Sequence, residues 1–296
     1  MPPDGGSSVN ISIGYLYPDL MSACGDRGNI ETIRRRCAWR DIGTEVAELT
    51  TGDQLPAGLD LIMIGGGSES QQRLIATDLY AVKGAAIRDA VASGTAALAV
   101  GGGFELLGRF CQPERGAELP GVQLFDCWTI RAASAASPGP DSEPRADRFV
   151  GELVVRWADQ LLIGFENHTG GTYLGPNAQP LGRVLVGYGN DGTGTEGVIV
   201  GGAIGTNLRG PCLPRNPALA DFLITAALSR RHHAIELKPL ADQIEQAART
   251  VAMTSAQRVI RRRRPPRPAA GPGIIPAQRH GVRAPSPLRR HSGASR

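Results

Sequence analysis

The sequence predicts an α/β fold: a three-layer domain with a mainly parallel central sheet and an antiparallel extension. Three observations predict it. In the first hundred residues short apolar runs alternate with helix-period segments, the pattern of a doubly wound parallel sheet. Two of those runs, residues 59–64 and 96–100, end in glycine triplets, Gly65-Gly66-Gly67 and Gly101-Gly102-Gly103. After about residue 115 the texture changes to shorter strands and turns.

Residues 11–17 (ISIGYLY) read as the first strand. Residues 18–28 form a loop, and Asp26 or Asn29 caps a helix over about 30–40. Ile33, Cys37 and Ala38 share one side of that helix. Arg34, Arg35, Arg36 and Arg40 lie elsewhere and read as a solvated face rather than a binding patch. Residues 44–49 and 59–64 are the next strands, and 81–92 is a helix of good formers with Gly84 inside it.

Residues 96–100 are apolar throughout, as a strand covered on both faces should be. Phe104, Leu106 and Leu107 then shift the period towards a helix. A strand, an abrupt glycine turn and a helix make a nucleophile elbow, which exposes a reactive side chain above the sheet. Gly101 stands where that side chain belongs. In a parallel sheet ligands sit beyond the carboxyl ends of the strands, so both glycine turns converge on that edge. Neither turn matches GxxxxGK[ST], and neither fits GxGxxG in a first βα unit.

Downstream, residues 122–131, 151–157, 161–166, 183–189 and 197–208 read as strands, and 190–197 as a turn. Residues 132–146 are low in complexity and read as a flexible surface loop. Helices are expected over 217–231 and about 240–264. The organisation is therefore a disordered start (1–10), one domain (11–231), a helical extension (232–264) and a disordered Arg/Pro-rich tail (265–296).

Composition narrows the function. Hydrophobic residues make up 41% of the chain, enough for a large core, but no apolar run reaches the eighteen residues of a membrane span. The N-terminus lacks the basic region and apolar core of a signal peptide, so a cytoplasmic location is expected. Five cysteines (Cys24, Cys37, Cys111, Cys127 and Cys212) contain no CxxC pair, which argues against a disulfide framework and a structural zinc site. No cofactor and no metal is expected. The net charge of +4 is local: arginines crowd the chain from Arg258 onwards, and no acid follows Glu245. A solvated tail is the plain reading, and contact with nucleic acid or anionic lipid the lesser one.

Four segments carry a resemblance. They are Tyr15-Leu16-Tyr17-Pro18-Asp19-Leu20 with Gly25-Asp26-Arg27-Gly28-Asn29; Ile64-Gly65-Gly66-Gly67-Ser68; Gly164-Phe165-Glu166-Asn167-His168 with Gly170-Gly171; and Gly205-Thr206-Asn207-Leu208-Arg209-Gly210-Pro211 with Leu213-Pro214-Arg215-Asn216. In this order, over residues 11–231, the chain resembles the class I glutamine amidotransferases of the CobB/CobQ type, and within them the glutaminase subunits of lipid II isoglutaminyl synthase. The resemblance implies a flavodoxin-like fold and glutamine as ligand. It also implies a heterodimer with a MurT-like Mur ligase that amidates D-glutamate of the peptidoglycan stem peptide.

The resemblance also assigns roles. The family's nucleophilic Cys corresponds to Gly101, and its base His to Arg209. Amide hydrolysis by this route needs a thiolate and an imidazole that accepts and returns a proton. Glycine has no nucleophile, and arginine stays protonated. The backbone oxyanion donors fall near Gly66 and Gly102, and Arg148 matches a substrate-contacting arginine. His168 reads as a structural, hydrogen-bonded histidine. Cys24, on the first loop, is the least implausible replacement nucleophile. The expected function is thus a glutaminase-deficient subunit, with a regulatory or glutamine-sensing module and an amidotransferase with a relocated nucleophile as alternatives.

Overall fold

The computed structural model describes residues 9–131, 148–231 and 236–260. The expected flexible loop at 132–146 and the tail at 265–296 lie outside the described residues, as do residues 1–8 of the expected disordered start. In chain order the strands are β1 (Asn10–Leu16), β2 (Gly43–Leu49), β3 (Leu61–Ile64), β4 (Ala96–Val100), β5 (Phe110–Gln112), β6 (Leu119–Pro120), β7 (Cys127–Ile130), β8 (Arg148–Trp157), β9 (Gln160–Thr169), β10 (Gly171–Leu174), β11 (Gly182–Val186), β12 (Thr195–Glu196), β13 (Val198–Val200) and β14 (Ala203–Thr206). The helices are α1 (Arg27–Ala38), α2 (Glu69–Asp78), α3 (Gly84–Ala92), α4 (Gly102–Leu107), α5 (Pro217–Ser229) and α6 (Gln243–Ile260).

The central sheet has the order β13-β14-β4-β3-β1-β2, and every pairing in it is parallel except β13 with β14. Alternate residues of its strands feed two cores. Ile11, Ile13, Tyr15, Leu61, Met63, Leu98 and Val100 pack with Ile33 of α1 and Leu223 of α5 on one face. Leu16, Ile62, Ile64, Ala97 and Ala99 pack with Ile75 of α2, Ile87 of α3 and Phe104 of α4 on the other. Burial on both faces explains why these strands read as unbroken apolar runs. The extension is two four-stranded sheets, β10-β7-β5-β6 and β12-β11-β8-β9, antiparallel throughout except for β5 with β7. Helix α6 covers the second, with Met253 and Ala256 against Val154 and Val186.

Several expectations are corrected. The helix expected over 81–92 is the end of a longer run, in which α2 and α3 are joined by one π turn, Leu79–Lys83. Its start is marked by a capping box between Ser68 and Gln71, a signal the apolar period does not carry. The strand expected over 197–208 is a hairpin of β13 and β14, turned at Gly201 with φ of +56°. The strand expected over 122–131 shrinks to β7, because Val122, Gln123 and Leu124 instead bond the carbonyls around α4. Arg36 and Arg40 are not solvated. Arg36 chelates Asp221 of α5 and Asp242 just before α6, and Arg40 also bonds Asp221. Only Arg34 and Arg35 remain on an exposed face.

Candidate functional site

The two glycine turns lie side by side at the carboxyl edge of the central sheet. Parallel pairing of β3 with β4 brings them together, and Gly103 N–H donates to the Gly65 carbonyl over 3.1 Å. Only glycine fits at position 65, where a Cβ would stand 2.3 Å from the Met21 carbonyl oxygen. Gly101 sits between β4 and α4 with φ +53° and ψ −114°, a conformation costly for any residue with a side chain. Its N–H donates to the Thr206 carbonyl (2.8 Å), and its own carbonyl accepts from Glu105 N–H (2.9 Å). The elbow is fully formed, without a side chain at its tip.

Arg209 comes to the same point from the chain that follows β14. Its backbone is fixed by an antiparallel bridge to Phe165, with Arg209 N–H donating to the Phe165 carbonyl over 2.8 Å. The guanidinium reaches over the elbow. A Cβ on Gly101 would stand 2.5 Å from Arg209 Nη2, 2.6 Å from Cζ and 2.8 Å from Nε. The near-equal distances place the guanidinium flat against Gly101. Its Nη1 points to the Cys24 sulfur, 3.9 Å away. Cys24 is the half-buried cysteine; the other four are buried. Burial pushes the thiols of Cys37 and Cys127 up to about 12.

Asp26 completes the inner wall. It occupies the N-cap position of α1 but does not cap it through its side chain. Its Oδ2 instead accepts from Gly66 N–H over 2.9 Å. That donor, expected near an oxyanion, is therefore engaged by a carboxylate. Burial raises the Asp26 pKa, while the Gly66 bond and the Arg209 charge pull it down. His168, on β9, is buried with its Nε2 unpartnered and 3.9 Å from Glu166 Oε2. Desolvation lowers its pKa to about 4, with Arg209 adding to the fall and Glu105 opposing it. The imidazole is therefore neutral at pH 7.

Behind the elbow lies a buried polar cluster that sequence reasoning missed. Arg131 pairs with Glu105 of α4, with Glu69 Oε2 (3.1 Å) and with Gln72 Oε1 (3.0 Å). Gln72 Nε2 donates to the Gly67 carbonyl (3.2 Å) and would lie 2.4 Å from a Cβ on Gly102. The cluster ties α2, α4 and both glycine turns together. Glu105, a lone acid within the apolar stretch FELL, was its sequence signal. Arg148 is exposed, and its Nε donates to Asn167 Oδ1 over 2.7 Å. It makes no hydrogen bond to an elbow residue among the described residues. No group of three or more His, Cys, Asp or Glu able to hold a metal occurs among them either.

The fold is a doubly wound sheet that bears an elbow beside a second glycine turn, and comparison with known proteins gives its class. Residues 12–217 match the family model described as the CobB/CobQ-like glutamine amidotransferase domain, and the chain belongs to this family. It is 31% identical over 252 residues to the lipid II isoglutaminyl synthase (glutamine-hydrolyzing) subunit GatD of Staphylococcus aureus, covering 84% of this chain and 97% of that one. It is 30% identical over 233 residues to the subunit of the same name from Streptococcus pneumoniae, covering 77% and 85%. Among solved structures it is similar to a glutamine amidotransferase from Thermotoga maritima, at 14% identity and a TM-score of 0.44, covering 84% and 90%. No helix among the described residues is long and apolar enough to cross a membrane.

Proposed function

We propose that this chain is a GatD-like subunit of a lipid II isoglutaminyl synthase whose own glutaminase centre is silent. One observation carries the reading: the elbow tip is Gly101, and the Arg209 guanidinium lies where a nucleophile's side chain would project. No atom there can attack a carboxamide, and a guanidinium cannot accept the proton. The Gly66 N–H is also committed to Asp26. The chain's relatives are named as subunits, which supports a heterodimer with a MurT-like Mur ligase. In that complex the ligase amidates D-glutamate of the stem peptide with ammonia from another source, and this chain stabilises or regulates it. Recognition surfaces and reaction chemistry are separable features of a fold.

The test is ammonia release from glutamine by the purified chain, with and without the ligase, beside co-elution of the two on size exclusion. Background release with co-elution is the expected result. Separate elution of the two proteins refutes the partnership.

A second reading is favoured by the contact of Arg209 Nη1 with the Cys24 sulfur: a nucleophile relocated to the first loop. Turnover by the unmodified chain that Cys24→Ala abolishes would establish it and overturn the first reading.

A further inference from the structure

The charge on Arg209 is not answered by the protein around it. The residue is 8% exposed, yet its guanidinium forms no ion pair among the described residues. Its Nε is closed to solvent and has no acceptor, and its one side-chain hydrogen bond is the long contact with the Cys24 sulfur. Other buried arginines of the chain are paired: Arg36 with Asp221 and Asp242, and Arg131 with Glu69 and Glu105. Asp26 is close enough to feel Arg209, but its Oδ2 is spent on Gly66 N–H and its Oδ1 has no partner. A buried cation left uncompensated is strongly unfavourable, and buried charges are as a rule paired.

We propose that the elbow is a binding site for a small organic carboxylate, held by Arg209. With its face against Gly101 and its Nε closed to solvent, the guanidinium has its Nη1–Nη2 edge for a ligand, and a carboxylate matches such an edge with two parallel hydrogen bonds. Nη1 already points to Cys24, the half-buried cysteine of the wall. Charge selects the ligand class. A neutral amide leaves the cation without an ion pair, and a dianion carries one charge more than the guanidinium. A monocarboxylate balances the guanidinium. The unpartnered His168 Nε2 is close enough to feel the same charge. The site has thus exchanged attack on an amide for recognition of an acid.

The test uses the full chain alone, so its failure leaves the ligase partnership untouched. Thermal unfolding is followed while propionate, propionamide or sulfate is titrated at constant ionic strength. Propionate should raise the midpoint saturably, and propionamide should not. Arg209→Met should abolish the response and raise the midpoint without ligand, since it removes an unpaired buried charge. Were Arg209→Met not to fold, Arg209→Lys, which keeps the charge without the two-pronged edge, should weaken propionate binding at least tenfold. An equal response to propionamide, tighter binding of sulfate, or an undiminished response in either variant overturns the proposal.

Discussion

Replacing Gly101 with cysteine asks whether the elbow and Arg209 are one unit. The new Cβ would stand 2.5 Å from Arg209 Nη2 and 2.6 Å from Cζ, well inside van der Waals contact. Overpacking of this kind costs about 1–3 kcal/mol. The guanidinium ends a long side chain and can yield, but it is 8% exposed and wedged against the elbow, so about 1 kcal/mol is the working figure. The backbone adds a second, separate penalty. A side chain at φ +53°, ψ −114° costs roughly 1–3 kcal/mol whatever stands nearby. Gly101→Cys alone should therefore lose about 2–4 kcal/mol. In an Arg209→His background the shorter ring clears the space, and only the backbone penalty should remain.

The measurement is a double-mutant cycle by urea unfolding of the parent, both single variants and the double variant. A favourable coupling of about 1 kcal/mol is expected, above the ~0.5 kcal/mol within which independent sites add. The same four proteins are assayed for ammonia release from glutamine. Neither single variant should act, because nucleophile and base work as a unit. The double variant alone should exceed background. Additive stabilities would show that Arg209 does not lie over Gly101, and the account of the site would fail with them.

Other predictions follow from the surroundings of the site. His168 has a pKa depressed to about 4, so between pH 6.5 and 4 the unfolded chain binds the extra proton and stability rises with pH. His168→Gln should flatten the urea midpoint across that window, and an unchanged slope would refute the assignment. Arg36→Ala takes the guanidinium from the partly exposed Asp242 and leaves Asp221 to Arg40 alone, and should cost about 3 kcal/mol by chemical denaturation. Asp242→Ala removes one tie between α1 and the segment leading into α6, so hydrogen exchange in α6 should quicken while the central sheet stays protected.

The fold was legible where burial dictates sequence. Strand β4 covers residues 96–100 as the apolar run required, because both of its faces are covered. Legibility failed where long-range partners decide. The hairpin of β13 and β14 hides in one apolar stretch, VIVGGAIGT, in which only Gly201-Gly202 marks the reversal. Arg36 and Arg40 look like surface charge until α5 and the approach to α6 supply Asp221 and Asp242 from some two hundred residues away. Asp26 reads as a helix cap in isolation, and its bond to Gly66 exists only because the first loop folds onto β3. Gly101 and Arg209 were identified by pattern, but their contact could be seen only in three dimensions.

The elbow forms without a side chain at its tip because packing, not chemistry, builds it. Gly103 N–H bonds the neighbouring turn, and Phe104 fills the space over β14, where a Cβ on Gly205 would stand 2.2 Å from its ring. Glu105 locks α4 to Arg131. None of these contacts uses a side chain at position 101. Glycine there also relieves the strain that an elbow imposes on any other residue. Glycine at the tip is therefore free of a conformational cost, while the strand, turn and helix stay in place. Arg209 fills the volume beyond the tip, and its bulk opposes a cysteine at position 101. On this reasoning a cysteine is best introduced after a change at position 209: Arg209→His leaves a fold that can accept Gly101→Cys, whereas the opposite order passes through the strained and overpacked single variant. Soluble yields of the two single variants test that order directly, and a Gly101→Cys chain as stable as Arg209→His would refute it.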